Sequence, residues 1–255
     1  MQVLSEVAIE RTIEMMWDRY EEPLQLADLA HEAVFSKFYY SRMFRELTGT
    51  SPGRFLSAIR LFMAKRLLLE TSSSVTSISY RVGYNSLGTF TSRFTRSVSI
   101  SPARYRTLAH KGLPPIPTFS MSCPGQRMSE LTGSLRIPCT NSTLRVYVGA
   151  FDSPIVEGLP KACDVLDSSG QFQLSVPDGT WFVRAAAVAR HEGEPGARIR
   201  RPQLIGTAWP VEVNGAHVQD IDLPLRPAGP FDLPILLALP ELDGRYLTPQ
   251  TQAAG

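Results

Sequence analysis

The stretch NSLGTFTSRF, Asn85 to Phe94, decides how the first 110 residues are read. A polar Asn-Ser pair precedes Phe90 and Phe94, which lie one helical turn apart. That spacing predicts a short helix with a serine cap and one aromatic face. The opposite face carries Leu87, Gly88, Thr89 and Ser92, a single cation, Arg93, and Arg96 toward the far end. For a binding helix this outer face is thin.

Fifty residues upstream the same layout stands. Ser36 matches Ser86, Tyr40 matches Phe90 and Phe44 matches Phe94; Ser51-Pro52 matches Ser101-Pro102, Arg54 matches Arg104 and Phe55 matches Tyr105. Ahead of the turn the offset is forty-nine, pairing Leu29 with Ile78, Ala30 with Ser79 and Phe35 with Tyr84, so the second turn is one residue longer. Around these anchors the periodicity is helical. VAIERTIEMMWDRY places Ile9, Ile13, Met16, Trp17 and Tyr20 on one stripe, and Pro23 ends that helix. A short helix over Gln25 to Ala33 turns Leu26, Leu29, Ala30 and Ala33 inward. After a turn at Val34-Phe35, a helix capped by Ser36 buries Tyr40, Phe44 and Leu47. Gly49 stops it, and a long helix opens with Ser51 as cap and Pro52 at its first position and runs to about Glu70. Thr76 is the expected cap of the next short helix, and the second turn falls at Gly83-Tyr84.

Two short helices around a tight turn, small residues inside the first and aromatics inside the second, form a helix-turn-helix. Here there are two, joined by a helix of ~19 residues that spans ~28 Å. Successive major-groove faces of a duplex lie ~34 Å apart. One chain can therefore present two reading helices to one side of DNA.

RLFMAKRLL, VGYNS, TFTSRF and SPARYR stand in an order and spacing that resembles the DNA-binding domain of the AraC/XylS family of bacterial transcription regulators, over residues 7–110. The resemblance implies a sequence-specific, double-stranded DNA-binding transcription regulator. On the first reading helix the outward residues are Lys37, Phe38, Ser41, Arg42 and Arg45. Phe38, Ser41 and Arg42 match the family's base-reading positions. Arg42 suits a bidentate bond to guanine O6 and N7, Phe38 a thymine methyl, and Arg45 a phosphate. On the second helix Ser86, Leu87, Gly88, Thr89, Ser92, Arg93 and Arg96 form the outward set, with Thr91 able to add a hydroxyl. Shape and phosphate contact should dominate there, helped by the free amides of the helix start, with Arg93 the one exception open to base contact. Gly88 has two readings, a close backbone approach to DNA or a glycine merely tolerated near a helix start.

Three departures from the family's pattern bear on stability. Gln25 stands at a usual Ser, Thr or Asp cap, Ser79 at a usual alanine where the helices cross, and Ser99 at a usual glycine before ISP. The family's best-known members carry their effector-sensing domain ahead of the helical region. Here few residues precede it, so a sensor or oligomerisation module is expected on the C-terminal side or not at all.

Charge follows the same division. From Ala33 to Gly112 there are 13 Lys and Arg against only Glu46 and Glu70, whereas from Leu113 onward 14 acids face 11 bases. A basic segment inside a chain of formal charge +2 points to a polyanion partner for that segment alone. With no apolar run near ~18–20 residues and no leader-like N-terminus, a cytoplasmic protein without membrane association is expected.

HKGLPPIPTFSMSCPGQRM, His110 to Met128, is rich in Pro, Gly and Ser and reads as a linker. Beyond it the period changes to two. LRVYVGAF, GQFQLSVPDGTWFVRAAAVA, PVEVNG and VQDIDLPL alternate or run apolar between turn residues. The expected architecture is an all-α N-terminal domain, two helix-turn-helix units joined by a long helix, plus an all-β C-terminal domain, a small antiparallel β-sandwich. The boundaries are 1–110, a linker over 111–130, the sandwich over 131–245 and a tail over 246–255. The order of the β segments loosely resembles the sandwich modules of transthyretin and carboxypeptidase regulatory domains.

Chemistry-bearing patterns are sparse. Cys123, Cys139 and Cys163 make no CxxC pair, and His31, His110, His191 and His217 are scattered, which argues against a disulfide framework or zinc site. RIPCTNS is similar to an alkyltransferase active site, but Thr140 and Asn141 follow Cys139 where a histidine would have to help form the thiolate. Asp152, Glu157 and Asp178 sit in or beside turns, and Arg198, Arg200 and Arg201 form a small basic loop, solvated or touching an anion. No enzyme activity, cofactor or metal is expected. Promoter DNA is the expected partner; RNA polymerase, a small-molecule effector at the C-terminal domain and a second copy of the chain stay open. The competing class is a ligand-binding or scaffold protein whose DNA-binding domain is vestigial.

Overall fold

The computed structural model describes residues 2–111, 118–121, 125–138, 144–153, 156–189, 198–199, 202–215, 220–239 and 243–244. The chain divides into two compact units, Met1–Arg106 with Gly229–Leu236, and Thr107–Ala228 with Leu237–Gly255. The first is helical. Its helices are α1 (Gln2–Asp18), α2 (Leu26–Glu32), α3 (Lys37–Thr48), α4 (Pro52–Glu70), α5 (Val75–Arg81), α6 (Leu87–Val98) and α7 (Pro102–Lys111), the last of which continues past the division at Arg106. α3 and α6 start 50 positions apart, as do α4 and α7, while α2 and α5 start 49 apart. Residues 33–36 therefore connect the first pair and residues 82–86, one more, the second.

Within the helical part, the two helix-turn-helix units repeat their interior as well as their sequence. Tyr40 and Phe44 lie 5.7 Å apart between ring centroids, and Phe44 meets Phe55 edge-on at 5.5 Å. In the second unit Phe90–Phe94 and Phe94–Tyr105 give 5.6 and 5.7 Å. All six rings are fully buried. Each run of three joins a reading helix to the helix after it, and such aromatic contacts add to what burial alone contributes. α1 closes the first unit from outside the repeat: Tyr40 Oη donates to Thr12 Oγ1 (2.9 Å), which donates to Ile9 O (2.7 Å). Burial pushes the Tyr40 phenol well above its ordinary range, so it stays a neutral donor.

Several local expectations are corrected. Leu26 is 39% exposed instead of inward, and Leu47 is only partly buried. The cap of α5 is Ser74, not Thr76: Ser74 Oγ accepts from Ser77 N–H at 3.0 Å. The run Ser72-Ser73-Ser74 offers hydroxyls that spacing cannot rank, and starting at Val75 is what turns Ile78 and Ser79 inward. The buried Ser79 hydroxyl is satisfied by donating to Thr76 O (2.8 Å). At α2, Asp28 does the tying that Gln25 was expected to lack, accepting from Gln25 N–H at 2.7 Å.

The other compact part of the chain, Thr107–Ala228 with Leu237–Gly255, is β-rich. Its strands are β1 (Phe119–Ser120), β2 (Met128–Arg136), β3 (Leu144–Phe151), β4 (Ala162–Leu166), β5 (Gly170–Pro177), β6 (Gly179–Ala189), β7 (Arg198–Ile199), β8 (Leu204–Val213), β9 (Asp220–Pro224), β10 (Arg226–Pro227) and β11 (Asp243–Gly244). They order as β1-β4-β3-β6-β8-β10, β5-β2-β9 and β11-β7. Alternating residues of the two larger sheets share one core, with Leu131, Phe172, Leu174 and Leu223 from the smaller and Val146, Val148, Val183 and Val211 from the larger. Asp164 ties β4 to its surroundings, accepting from Thr118 Oγ1 (3.1 Å), Val165 N–H (2.8 Å) and Gln173 N–H (3.0 Å).

Three broader expectations also change. The sheets are not wholly antiparallel, because β2 and β9 pair in parallel, Thr132 opposite Asp220 through Arg136 opposite Pro224. The span expected as linker contains β1, paired to β4 with Phe119 opposite Cys163, and the start of β2. Residues 229–236, expected inside the β domain, pack with the helices. Cys123, Cys139, Thr140, Asn141, His191, His217, Arg200, Arg201 and the tail over 246–255 lie outside the described residues. Among the described residues no helix is long and apolar enough to cross a membrane.

Candidate nucleic-acid interface

Each reading helix begins on a serine. Ser36 Oγ accepts from Tyr39 N–H at 3.3 Å, and Ser86 Oγ accepts from Thr89 N–H at 3.2 Å. The caps fix which side chains leave the first turn. On α3, Lys37, Phe38, Arg42 and Arg45 are exposed and Ser41 is half-buried, while Tyr40 and Phe44 face inward. Phe38 is 80% exposed. A phenyl ring so placed beside Lys37 and Arg42 can offer apolar contact to a base methyl, though other apolar side chains, Leu4 and Val34 among them, are comparably exposed.

On α6, Ser86, Leu87, Gly88, Thr89, Ser92, Arg93 and Arg96 are exposed, over the buried Phe90 and Phe94. Ser86 Oγ also donates to Thr89 Oγ1 (2.9 Å), so one of the two hydroxyls at this helix start is spent inside the cap. A Cβ added to Gly88 would meet no atom within 4 Å, so packing inside the chain does not require the glycine.

The two central arginines are held differently. The Arg42 guanidinium lies over the Tyr39 ring, 5.4 Å from its centroid. Tyr39 is itself set edge-on to Phe35 at 4.9 Å, and its hydroxyl lies 3.4 Å from Ser5 Oγ of α1. Such a stack orients the guanidinium while leaving its donors available. Arg93 instead donates through Nη1 to Ser57 Oγ of α4 (3.2 Å), and Ser57 Oγ lies 3.0 Å from Tyr84 Oη. Burial raises the Tyr84 pKa, keeping the phenol neutral and able to share that bond. Sequence reading missed Tyr39, Ser57 and Tyr84. The spacing of Tyr39 and Arg42, three apart on one helix, was an available signal; the Ser57 contact, 36 positions from Arg93, was not.

The basic bias also needs subdivision. Arg60 donates to Tyr20 O (2.8 Å) and Glu22 O (2.6 Å), closing the turn after α1. Arg106 donates to Leu68 O (3.0 Å) and Ser73 O (2.6 Å), Arg66 pairs with Glu70, and Lys65 is fully buried. Arg60, Lys65 and Arg106 thus serve the fold, while the Arg66–Glu70 pair is exposed; α3 and α6 present Lys37, Arg42, Arg45, Arg93 and Arg96, and Arg54, Arg81, Arg104 and Lys111 are exposed on the other helices.

Two helix-turn-helix units sharing one long helix make the helical unit a tandem helix-turn-helix domain. Residues 29–107 match the family described as Helix-turn-helix domain. The regulator YobQ of Bacillus subtilis is 36% identical over 85 residues, 33% of this chain and 35% of that one. The transcriptional regulator Rob of Salmonella typhimurium is 34% identical over 86 residues, 34% of this chain and 30% of that one. A solved transcriptional regulator from Chromobacterium violaceum with an AraC-type DNA-binding domain is 29% identical, covering 41% of this chain and 93% of that one, with a TM-score of 0.39. Residues 29–107 thus match a helix-turn-helix domain, and the chain is similar over about a third of its length to named transcriptional regulators. The chain spans about a third of the length of the curated relatives it matches. The family match starts within α2 and ends within α7, leaving α1 and residues 229–236 outside it.

Proposed function

We propose that this protein is a sequence-specific double-stranded DNA-binding transcription regulator of the bacterial cytoplasm, reading two successive major-groove segments with α3 and α6. One observation carries the reading: two reading helices, 50 positions apart, repeat their buried aromatics while keeping their outer faces exposed. Relatives named as transcriptional regulators match over 85 and 86 residues, and the helix-turn-helix family match spans residues 29–107. α3 supplies base discrimination through Phe38, Ser41 and Arg42, with Lys37 and Arg45 on phosphates. α6 sits by shape and backbone, with Ser86, Leu87, Gly88, Thr89, Ser92 and Arg96 against the phosphates and Arg93 drawn back toward Ser57. The β-rich unit, read as a sandwich of its two larger sheets, modulates activity or self-association.

Selection of duplexes from a random pool by the full-length protein tests this. The expected result is an enriched motif in two parts, the part under α3 sharper than the part under α6. Affinity should fall steeply with salt, since neutralised phosphates release counterions. A pool with no enriched motif sinks the reading and favours a scaffold whose helix-turn-helix units no longer read DNA.

A further inference from the structure

Residues Gly229–Leu236, GPFDLPIL, follow the last strand of the six-stranded sheet in sequence yet pack in the helical unit. Pro230 and Pro234 keep the segment out of a helix, and Asp232 shapes its entry by accepting from Gly229 N–H at 2.7 Å. Phe231 and Leu233 pack against the core cluster of the first helix-turn-helix unit, which includes Ile13, Phe44, Phe55 and Ile59. Leu236, itself buried, accepts a hydrogen bond through its carbonyl from Lys65 Nζ at 3.1 Å. Lys65 is wholly buried in α4, and its ammonium lies 5.6 Å from the centroid of Tyr105, the last ring of the second unit's aromatic run. One short segment thus engages the interior of the first unit at one end and, through Lys65, the interior of the second at the other.

From this we infer that residues 229–236 are a brace that locks the two helix-turn-helix units to each other across α4 and so fixes the spacing of their reading helices. The outward residues of α3 and α6 stay exposed with the segment in place, so it does not act by covering them. The surfaces it covers are apolar and internal, and a buried ammonium that loses a carbonyl acceptor must find another or draw in water. Detaching the segment therefore loosens both interiors together. The consequence for DNA rests on the reading proposed above; the mechanical part does not.

The test uses the full-length chain carrying Phe231→Ser and Leu233→Ser together, with Leu233→Ala as a milder substitution should the pair prevent folding, and Lys65→Met as an independent cut at the other end. Hydrogen exchange without DNA is read first. Amide protection in α4 and α7 should fall about tenfold in each variant, as in a cooperative unit that has lost part of its closure. Binding is read second, on selected duplexes whose two half-sites are moved apart or together by one base pair. The unaltered protein should show a sharp spacing preference that the variants flatten, with affinity for either half-site alone unchanged. Unchanged protection in all variants, or an unchanged spacing preference, overturns the brace. Lost protection together with no selected site even for the unaltered protein supports the brace and removes the DNA reading instead.

Discussion

In the first helix-turn-helix unit the left-handed corner between the helices is a valine, Val34 at φ 57, and the left-handed stop after the reading helix is a glycine, Gly49 at φ 73. The second unit reverses this, with Gly83 at φ 82 in the corner and Ser99 at φ 73 at the stop. The backbone path is conserved between the units and the residue that suits it is not. Each unit carries one strained corner, at opposite ends of its reading helix. The outer faces divide as unevenly. The first presents long side chains, one of them stacked on Tyr39; the second presents a bare Gly88 and an arginine tied back to Ser57. Shared interiors can therefore support unequal reading surfaces, because the aromatic runs fix where each helix lies and leave its exterior free to vary.

The largest effect expected from breaking this comparison is at Gly83. A Cβ there would lie 2.9 Å from Tyr20 O, Glu21 O and the Arg60 guanidinium carbon, on top of the left-handed backbone. Gly83→Ala should destabilise the helical unit by about 2–4 kcal/mol in urea unfolding, overcrowding and strain adding together. Next comes Arg42→Ala, which should lose about 1–3 kcal/mol at essentially one base position. Arg93→Ala, at a side chain drawn back to Ser57, should instead weaken all sequences alike, by less than Arg42→Ala and with little change in the salt slope. Competition binding against single-base variants at two salt concentrations separates the two, and a sequence-specific loss for Arg93→Ala would erase the proposed asymmetry.

Two smaller changes sharpen it. Val34 is 87% exposed, so Val34→Gly removes little packing. A left-handed β-branched residue costs ~1–2 kcal/mol and glycine's added chain entropy ~0.5–1, so the substitution should stabilise by about 0.5–1 kcal/mol. Ser99→Gly should follow with a similar or smaller gain, since it also removes a buried hydroxyl that has no hydrogen-bond partner among the described residues. Thermal unfolding reads both. Smallest is Gly88→Ala, expected to stabilise α6 by about 0.5–1 kcal/mol while weakening DNA binding. Tighter or unchanged binding would show that the glycine is merely tolerated.

The repeat, its one-residue offset and the outward sets on α3 and α6 were legible because they depend on local periods and on caps a few residues apart. Leu26 and the cap of α5 were misread for the same reason: a period says which residues share a face, not how far the neighbouring helix covers it. The roles of Arg60, Lys65 and Arg106 were hidden altogether. A count of cations cannot tell one that closes a turn from one that meets solvent, and the partners here lie 33 to 171 positions away. In the β-rich unit alternation located strands, whereas the parallel pairing of β2 with β9 depends on long-range register that alternation does not encode. Residues 229–236 looked like more of the same unit because an apolar run between prolines carries no mark of which core it fills.

That segment also orders events during synthesis. The bond between Lys65 and Leu236 spans 171 positions, and the helical unit's main chain ends at Arg106, 130 residues before Leu236. At ~5–20 residues per second, α1 to α7 leave the ribosome on the order of ten seconds before the segment that completes their interior. For that interval the nascent helices lack Phe231, Leu233 and the Leu236 carbonyl that complete their interior beside α4. A chain broken off within the β-rich unit would carry every DNA-reading residue proposed here and lack the piece that closes them into one body.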